Sequence, residues 1–199
     1  MQVRFRLRPE TPSMTLAVAS AILAPDVATS NVAGYDAAVR FACERAEDRA
    51  AVDALIDIAF GPGRFAKTAE RLREGNRLRR DLSFCAWLGE ELVSAVRQWP
   101  IRIGETPVIF LGPIATPIER RGQGYGRALV RHGCAQAAKA GETLVLLVGD
   151  RAYFEPLGFQ PVPAGRVTLP GPVDGRRLLW APLTAGGAHG VAGMATIAP

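Results

Sequence analysis

Residues 144–148, Leu-Val-Leu-Leu-Val, are apolar without a break. A strand with one wet face alternates polar and apolar side chains. A strand without that alternation is covered on both faces. The segment before it, Tyr125 to about Ala140, places Leu129/Val130, Gly133/Cys134 and Ala137/Ala138 at helical spacing. Before that, "PVIFLGPIAT" (Pro107–Thr116) reads as another strand. A strand, a helix and a doubly covered strand in that order imply a parallel pair joined by a right-handed crossover.

The flanking segments fill out the sheet. "AVRFACER", from Ala38, reads as a first strand. Val52, Leu55, Ile56, Ala59 and Phe60 then recur at helical spacing, with Arg49, Asp53 and Asp57 opposite, until "GPG" at Gly61–Gly63 stops the helix. A short helix is expected over Phe65–Arg73. "LSFCAWL", Leu92–Ile103 and Pro107–Thr116 make an antiparallel meander joined by tight turns. Gly112-Pro113 interrupts its last strand, because proline donates nothing to a ladder and glycine weakens one; a bulge or splay is expected there. A helical turn near Ala152–Leu157, a strand near Phe159–Val162 and a last strand near Arg177–Leu183 complete the order. The expected class is α/β, an α+β mixed sheet that is mostly antiparallel and splayed at one parallel pair, with helices on both faces. Residues 38–183 form the expected domain. Residues 184–199, rich in Gly and Ala, are expected to be a flexible tail.

The parallel unit carries the chemistry. Between its strand and helix lies "ERRGQGYGRALVRHG", Glu119–Gly133. Glycine lets backbone N–H groups approach a ligand closely. A helix start adds unpaired donors and partial positive charge. Together they form a socket for an anion, most often a phosphate. A dinucleotide fingerprint does not fit, since the glycines run Gly122, Gly124, Gly126 and the next strand has no acid before Asp150. A Walker loop does not fit either, since no lysine follows. The frame R-x-x-G-x-G is met by Arg121, Gly124 and Gly126.

That loop resembles the pyrophosphate loop of the GNAT superfamily of N-acetyltransferases. "FLGPIATP" is similar to the bulged strand that precedes it in the family, "TLVLLVGD" to the strand that follows, and "FEPLGF" to the short helix ending in Gly-Phe. "LGPIA" and "VGDRAYF" look closest to predicted bacterial acetyltransferases of the YhbS type. The match runs from about Arg40 to Leu183. The resemblance implies acetyl-CoA as co-substrate, no metal, and an amine acceptor. The amides of Gly122, Gln123, Gly124, Tyr125, Gly126 and Arg127, with Arg121, would hold the pyrophosphate. Ile114, Ala115 and Thr116 would pair with the pantetheine arm, and the gap beside Leu144–Val148 would take the thioester. A homodimer is a further implication.

The catalytic set is less complete. The backbone N–H of Ile114 is the expected oxyanion donor. Where many family members carry a tyrosine, four residues before the Gly of "GF", this chain has Phe154. Either the neighbouring Tyr153 protonates the leaving thiolate, or water does. Asp150 is a candidate base near the acceptor, or a cap for the helix after it. Glu119 is expected in solvent. Arg97, Trp99 and Trp87 are candidates for an acceptor wall or for plain core.

Composition narrows the alternatives. Hydrophobic residues are 48% and charged residues 22% of the 199, an ordinary globular balance. The net charge is +5, carried almost wholly by arginine, with Lys67 and Lys139 the only lysines. No block of five like charges occurs, so a nucleic-acid binder stays a minor alternative that rests on charge, and neither nucleic acid nor membrane is the expected partner. Two histidines and three scattered cysteines offer no metal spacing or disulfide framework, which points to a reducing cytoplasm. Arg4, Arg6 and Arg8 precede an apolar run, Met14–Ala24, too short to span a bilayer. A signal peptide is one reading. A poorly ordered extension over residues 1–37, with Met14 as another candidate initiator, is the other, and an intracellular co-substrate favours it. A non-catalytic CoA-binding module remains the alternative function.

Overall fold

The structure, a computed structural model, describes residues 39–198. The extension expected over residues 1–37 lies outside the described residues. No helix among the described residues is long and apolar enough to cross a membrane.

Strand β1 (Val39–Cys43) is followed by helix α1 (Arg49–Phe60), a 3-10 turn (Pro62–Ala66) and helix α2 (Thr68–Arg71). The meander is β2 (Phe84–Leu88), β3 (Glu91–Ile103) and β4 (Thr106–Ala115). Helix α3 (Tyr125–Lys139) leads to β5 (Leu144–Val148), helix α4 (Arg151–Phe154), β6 (Gln160–Pro161), β7 (Val167–Thr168), β8 (Leu178–Pro182) and β9 (Gly193–Ile197). The main path through the sheet is β1-β2-β3-β4-β5-β8-β6. Only β4–β5 within it is parallel, through Ile109↔Val145 and Phe110↔Leu146.

The doubly covered reading of β5 holds side chain by side chain. Val145 and Leu147 join Leu129, Val130, Cys134 and Ala137 of α3 in one core cluster. Leu144 and Leu146 join Ile101, Phe110, Leu72 and Trp180 in another on the opposite face. Helix α1 packs Val52, Leu55 and Ile56 on Cys85, Ala95 and Ala115. The mixed sheet with helices on both faces is thus the fold observed.

Two features position the site. Between β3 and β4 the register steps from Val96↔Ile114 to Gln98↔Leu111, so Arg97 alone faces Gly112 and Pro113. The extra residue is a bulge in β4, where the Gly-Pro pair predicts one. Beyond Phe110, β4 no longer pairs with β5, while β5 continues against β8 to Val148↔Leu178. The sheet therefore opens at the C-terminal ends of the parallel pair.

Elsewhere the structure departs from expectation. The helix expected over Phe65–Arg73 is split at Lys67, whose backbone is extended, into the 3-10 turn and α2. The tail is not loose. Beyond Leu183 the chain returns as β9, antiparallel to Ile101–Ile103 and parallel to β7. The reason lies in β3, which outruns β2: their pairing stops at Val96. An open edge is a template for any nearby strand, and the Gly104 N–H donates to the Met194 carbonyl at 3.0 Å. Val191 and Ala195 are buried there.

Candidate active site

The glycine loop enters α3 without any side-chain cap. Gly122 (φ 80°) and Gly124 (φ 89°) adopt left-handed backbone, and a Cβ on either would meet open space. None of the backbone N–H groups from Gly122 through Arg127 donates to a partner among the described residues. Six successive free amides thus surround the positive end of a 15-residue helix. Tyr125, at the helix start, lines the same cleft, and its buried hydroxyl has no partner among the described residues.

The neighbouring arginines divide their work. Arg120 is held by Glu91, with Nε 2.9 Å from Oε1. Arg121 is exposed and spends Nε on the Thr116 carbonyl at 3.3 Å. Arg127 is exposed and stands 5.2 Å from the Tyr153 ring centroid. Glu119 is exposed, as expected, and Gln123 Nε2 donates to its carbonyl.

Behind the opening, the bulge is held from two sides. Trp99 Nε1 donates to the Gly112 carbonyl at 2.8 Å, and Arg73 Nε donates to the same oxygen at 3.1 Å. Arg73 Nη1 reaches Glu70 at 3.1 Å. Further along β4, Ser94 Oγ donates to the Ala115 carbonyl at 3.0 Å and stands 2.9 Å from the Thr116 hydroxyl oxygen. Arg73 was invisible as a site residue in the sequence, being 39 positions from Gly112. Trp99 supports the bulge rather than walling an acceptor site. Arg97 is spent on Glu44 and Asp53, and Trp87 packs beside the α1 cluster. Arg97, Trp99 and Trp87 do not line the cleft.

The cleft has a volume of about 1150 Å³. One end is the glycine loop with Thr116 and Arg121; the middle is Ile114 against Leu147–Gly149; the far end is Phe60, Lys67, Arg73, Val173 and Arg177. Tyr153 lines the cleft where the glycine-loop end meets Ile114, half-buried, its hydroxyl 2.8 Å from where a Cβ on Gly126 would stand and beside Thr116. Burial pushes this phenol above its ordinary value, with Arg127 opposing. Phe154 borders the same cleft but is more deeply buried: it is 8% exposed and packs against Phe159 beside Gly149. Asp150 borders the cleft and is exposed, but its carboxylate accepts from Ala152 N at 2.8 Å and so caps α4.

A family model describing the acetyltransferase (GNAT) family matches residues 49–159, more than half of the chain. The chain belongs to this family. It is an acyltransferase of the GNAT type. Among solved structures, the GNAT N-acetyltransferase YhbS of Escherichia coli, crystallised with CoA, aligns with a TM-score of 0.71 at 23% identity, over 83% of this chain and 93% of that one. A GNAT acetyltransferase of Brucella melitensis in complex with acetyl-CoA gives 0.51 at 25% identity, over 61% and 82%. The ribosomal-protein-S18-alanine N-acetyltransferase of E. coli gives 0.54 at 19% identity, over 73% and 94%. No curated protein matches the chain in sequence.

Proposed function

We propose that this GNAT chain transfers the acetyl group of acetyl-CoA to a primary amine of a small molecule or protein. One observation carries the reading: six unpartnered amides, Gly122 to Arg127, stand at the mouth of a cleft that runs to an open parallel strand pair. A diphosphate fits the donors present. The glycines leave its approach clear, the helix supplies partial positive charge, and Arg121 and Arg127 stand exposed on either side. Two of the similar structures contain CoA or acetyl-CoA, which supports the same reading.

The reaction forms an amide N–C bond and breaks the thioester C–S bond. The amine gives up a proton and the leaving thiolate takes one. Ile114, half-buried just past the bulge, offers its N–H to the oxyanion that develops between these events. The backbone from Ile114 through Ala115 to Thr116 aligns the pantetheine arm, since β4 is no longer paired with β5 there. Tyr153 delivers the proton to sulfur: it lines the cleft, its hydroxyl stands near Gly126, Thr116 and Ile114, and burial favours the protonated phenol. Asp150 accepts the amine proton through water at the exposed end, while its other task, capping α4, holds Tyr153 in place.

A non-catalytic CoA-binding module is favoured only by Phe154, and the cleft-facing Tyr153 removes most of that argument. The proposed compartment is the cytoplasm, supported by three free cysteines. A homodimer rests on the family resemblance. Calorimetric titration with acetyl-CoA, followed by thiol release across an amine panel, tests the function. Binding with turnover is expected; binding without turnover on any amine supports the module, and no binding overturns both.

A further inference from the structure

The far end of the cleft is not neutral. Arg64, Lys67, Arg73 and Arg177 line it. The carboxylates that border the cleft are Asp150 and Asp174. Asp150 caps α4, and Asp174 is spent on Arg176, with Nη2 2.9 Å from Oδ2. Arg64 is matched by Asp57 at 2.7 Å. Lys67 is exposed, with its ammonium 5.8 Å from the Phe60 ring centroid.

Arg73 is placed differently from the others. Its side chain is only 15% exposed. Nε is fixed on the Gly112 carbonyl and Nη1 on Glu70, so the guanidinium plane cannot turn. Nη2 makes no hydrogen bond among the described residues and lies 3.2 Å from where a Cβ on Gly112 would stand. Unused N–H capacity on a fork locked at Gly112, itself two residues before Ile114, suits a carboxylate or phosphate oxygen. The same end offers apolar wall from Phe60, Ala66, Ala69 and Val173.

Resting on the acetyl-transfer reading, we propose that the acceptor is a small amine carrying its own anionic group, an amino acid above all. Its anion meets Arg73 with Lys67 and Arg177 at the rim, and its amine points at the thioester beside Ile114. Polycationic amines are disfavoured, because this end presents surplus cations and no carboxylate free of a protein partner among the described residues.

The test uses the whole chain saturated with CoA or acetyl-CoA. Phenylalanine, its methyl ester, phenethylamine, O-phosphoethanolamine and spermidine are compared for thiol release, and N-acetylphenylalanine and N-acetylphenethylamine for calorimetric binding. At least a ten-fold preference for the anionic partner is expected in both readouts. The phosphate arm separates carboxylate from phosphate recognition. Lys67→Glu is expected to weaken the acids several-fold and leave coenzyme affinity intact. Arg73→Lys is expected to shrink the acid-to-ester ratio; a bulge merely shifted by that change would slow acid and ester alike. Equal use of acid and ester, or preference for spermidine, overturns the proposal while leaving acetyl transfer standing. If no amine releases thiol, the binding comparison still decides the anion site, and only the proposed function fails.

Discussion

Tyr153 and Phe154 both border the cleft, but only Tyr153 carries a hydroxyl, and Phe154 is the more deeply buried of the two; the proposed proton donor is therefore Tyr153. Tyr153→Phe is therefore expected to lower kcat by about 10²-fold with little change in acetyl-CoA affinity, since positioned proton transfer is worth ~10²–10⁴. Phe154→Tyr is not expected to rescue that variant. The pH dependence has a definite sign. Burial raises the Tyr153 pKa, so the proton-donating form persists below the raised value and is lost as pH climbs through it. The alkaline limb of kcat is expected above the ordinary tyrosine value of about 10, and to vanish in Tyr153→Phe. The thiols give a further residue-scale check. Cys85 and Cys134 are buried and pushed up to about 12 by desolvation, whereas Cys43 is exposed. Titration with a thiol reagent is expected to find Cys43 alone in the native protein, and all three after unfolding. The glycine loop was legible in the sequence because its chemistry is local: glycines, a helix start and adjacent arginines. Arg73 was not, because what matters is its contact with a carbonyl 39 residues away.

Elements fit together through small residues and open edges. Gly133 lets α3 approach β3 so closely that a Cβ there would stand 2.7 Å from Gln98 Nε2. That nitrogen donates to the Leu82 carbonyl at 2.7 Å, and Gln98 is fully buried. Gly133→Val is expected to cost roughly 2 kcal/mol or more, from overpacking and a strained buried hydrogen bond, measured by denaturant unfolding. The strands of the meander and the helix α3 could be read from periodicity, since each buries a regular face. Strand β9 could not. Its five residues, Gly-Met-Ala-Thr-Ile, are too few and too mixed to announce a strand, and it forms because β3 leaves an edge unfilled. Truncation after Leu183 is expected to lower stability by at least about 2 kcal/mol, from loss of buried Val191 alone. A truncated chain as stable as the full one would show that β9 adds nothing.

Across the whole molecule, charge is concentrated where the reaction is proposed. Arg64, Lys67, Arg73, Arg120, Arg121, Arg127 and Arg177 border the cleft, against Asp150 and Asp174. Arg64, Arg73 and Arg120 are paired with Asp57, Glu70 and Glu91, which leaves Lys67, Arg121, Arg127 and Arg177 as the cations that attract an anionic ligand. Acetyl-CoA affinity is expected to fall several-fold as the Debye length shrinks from about 10 Å at 0.1 M salt toward about 3 Å at 1 M; an affinity indifferent to salt would count against the loop as the diphosphate site. The sequence by itself determined the layered sheet, the parallel pair, the bulge and the glycine loop at the start of α3, because each is written in neighbouring residues as periodicity or turn chemistry. Only the tertiary structure decided that Phe154 is the more deeply buried of the two aromatics at the cleft, that Arg73 and Trp99 brace the bulge, and that the tail completes the sheet. Those outcomes depend on contacts between residues far apart in the chain, whose energies exist only once the sheet has brought them together.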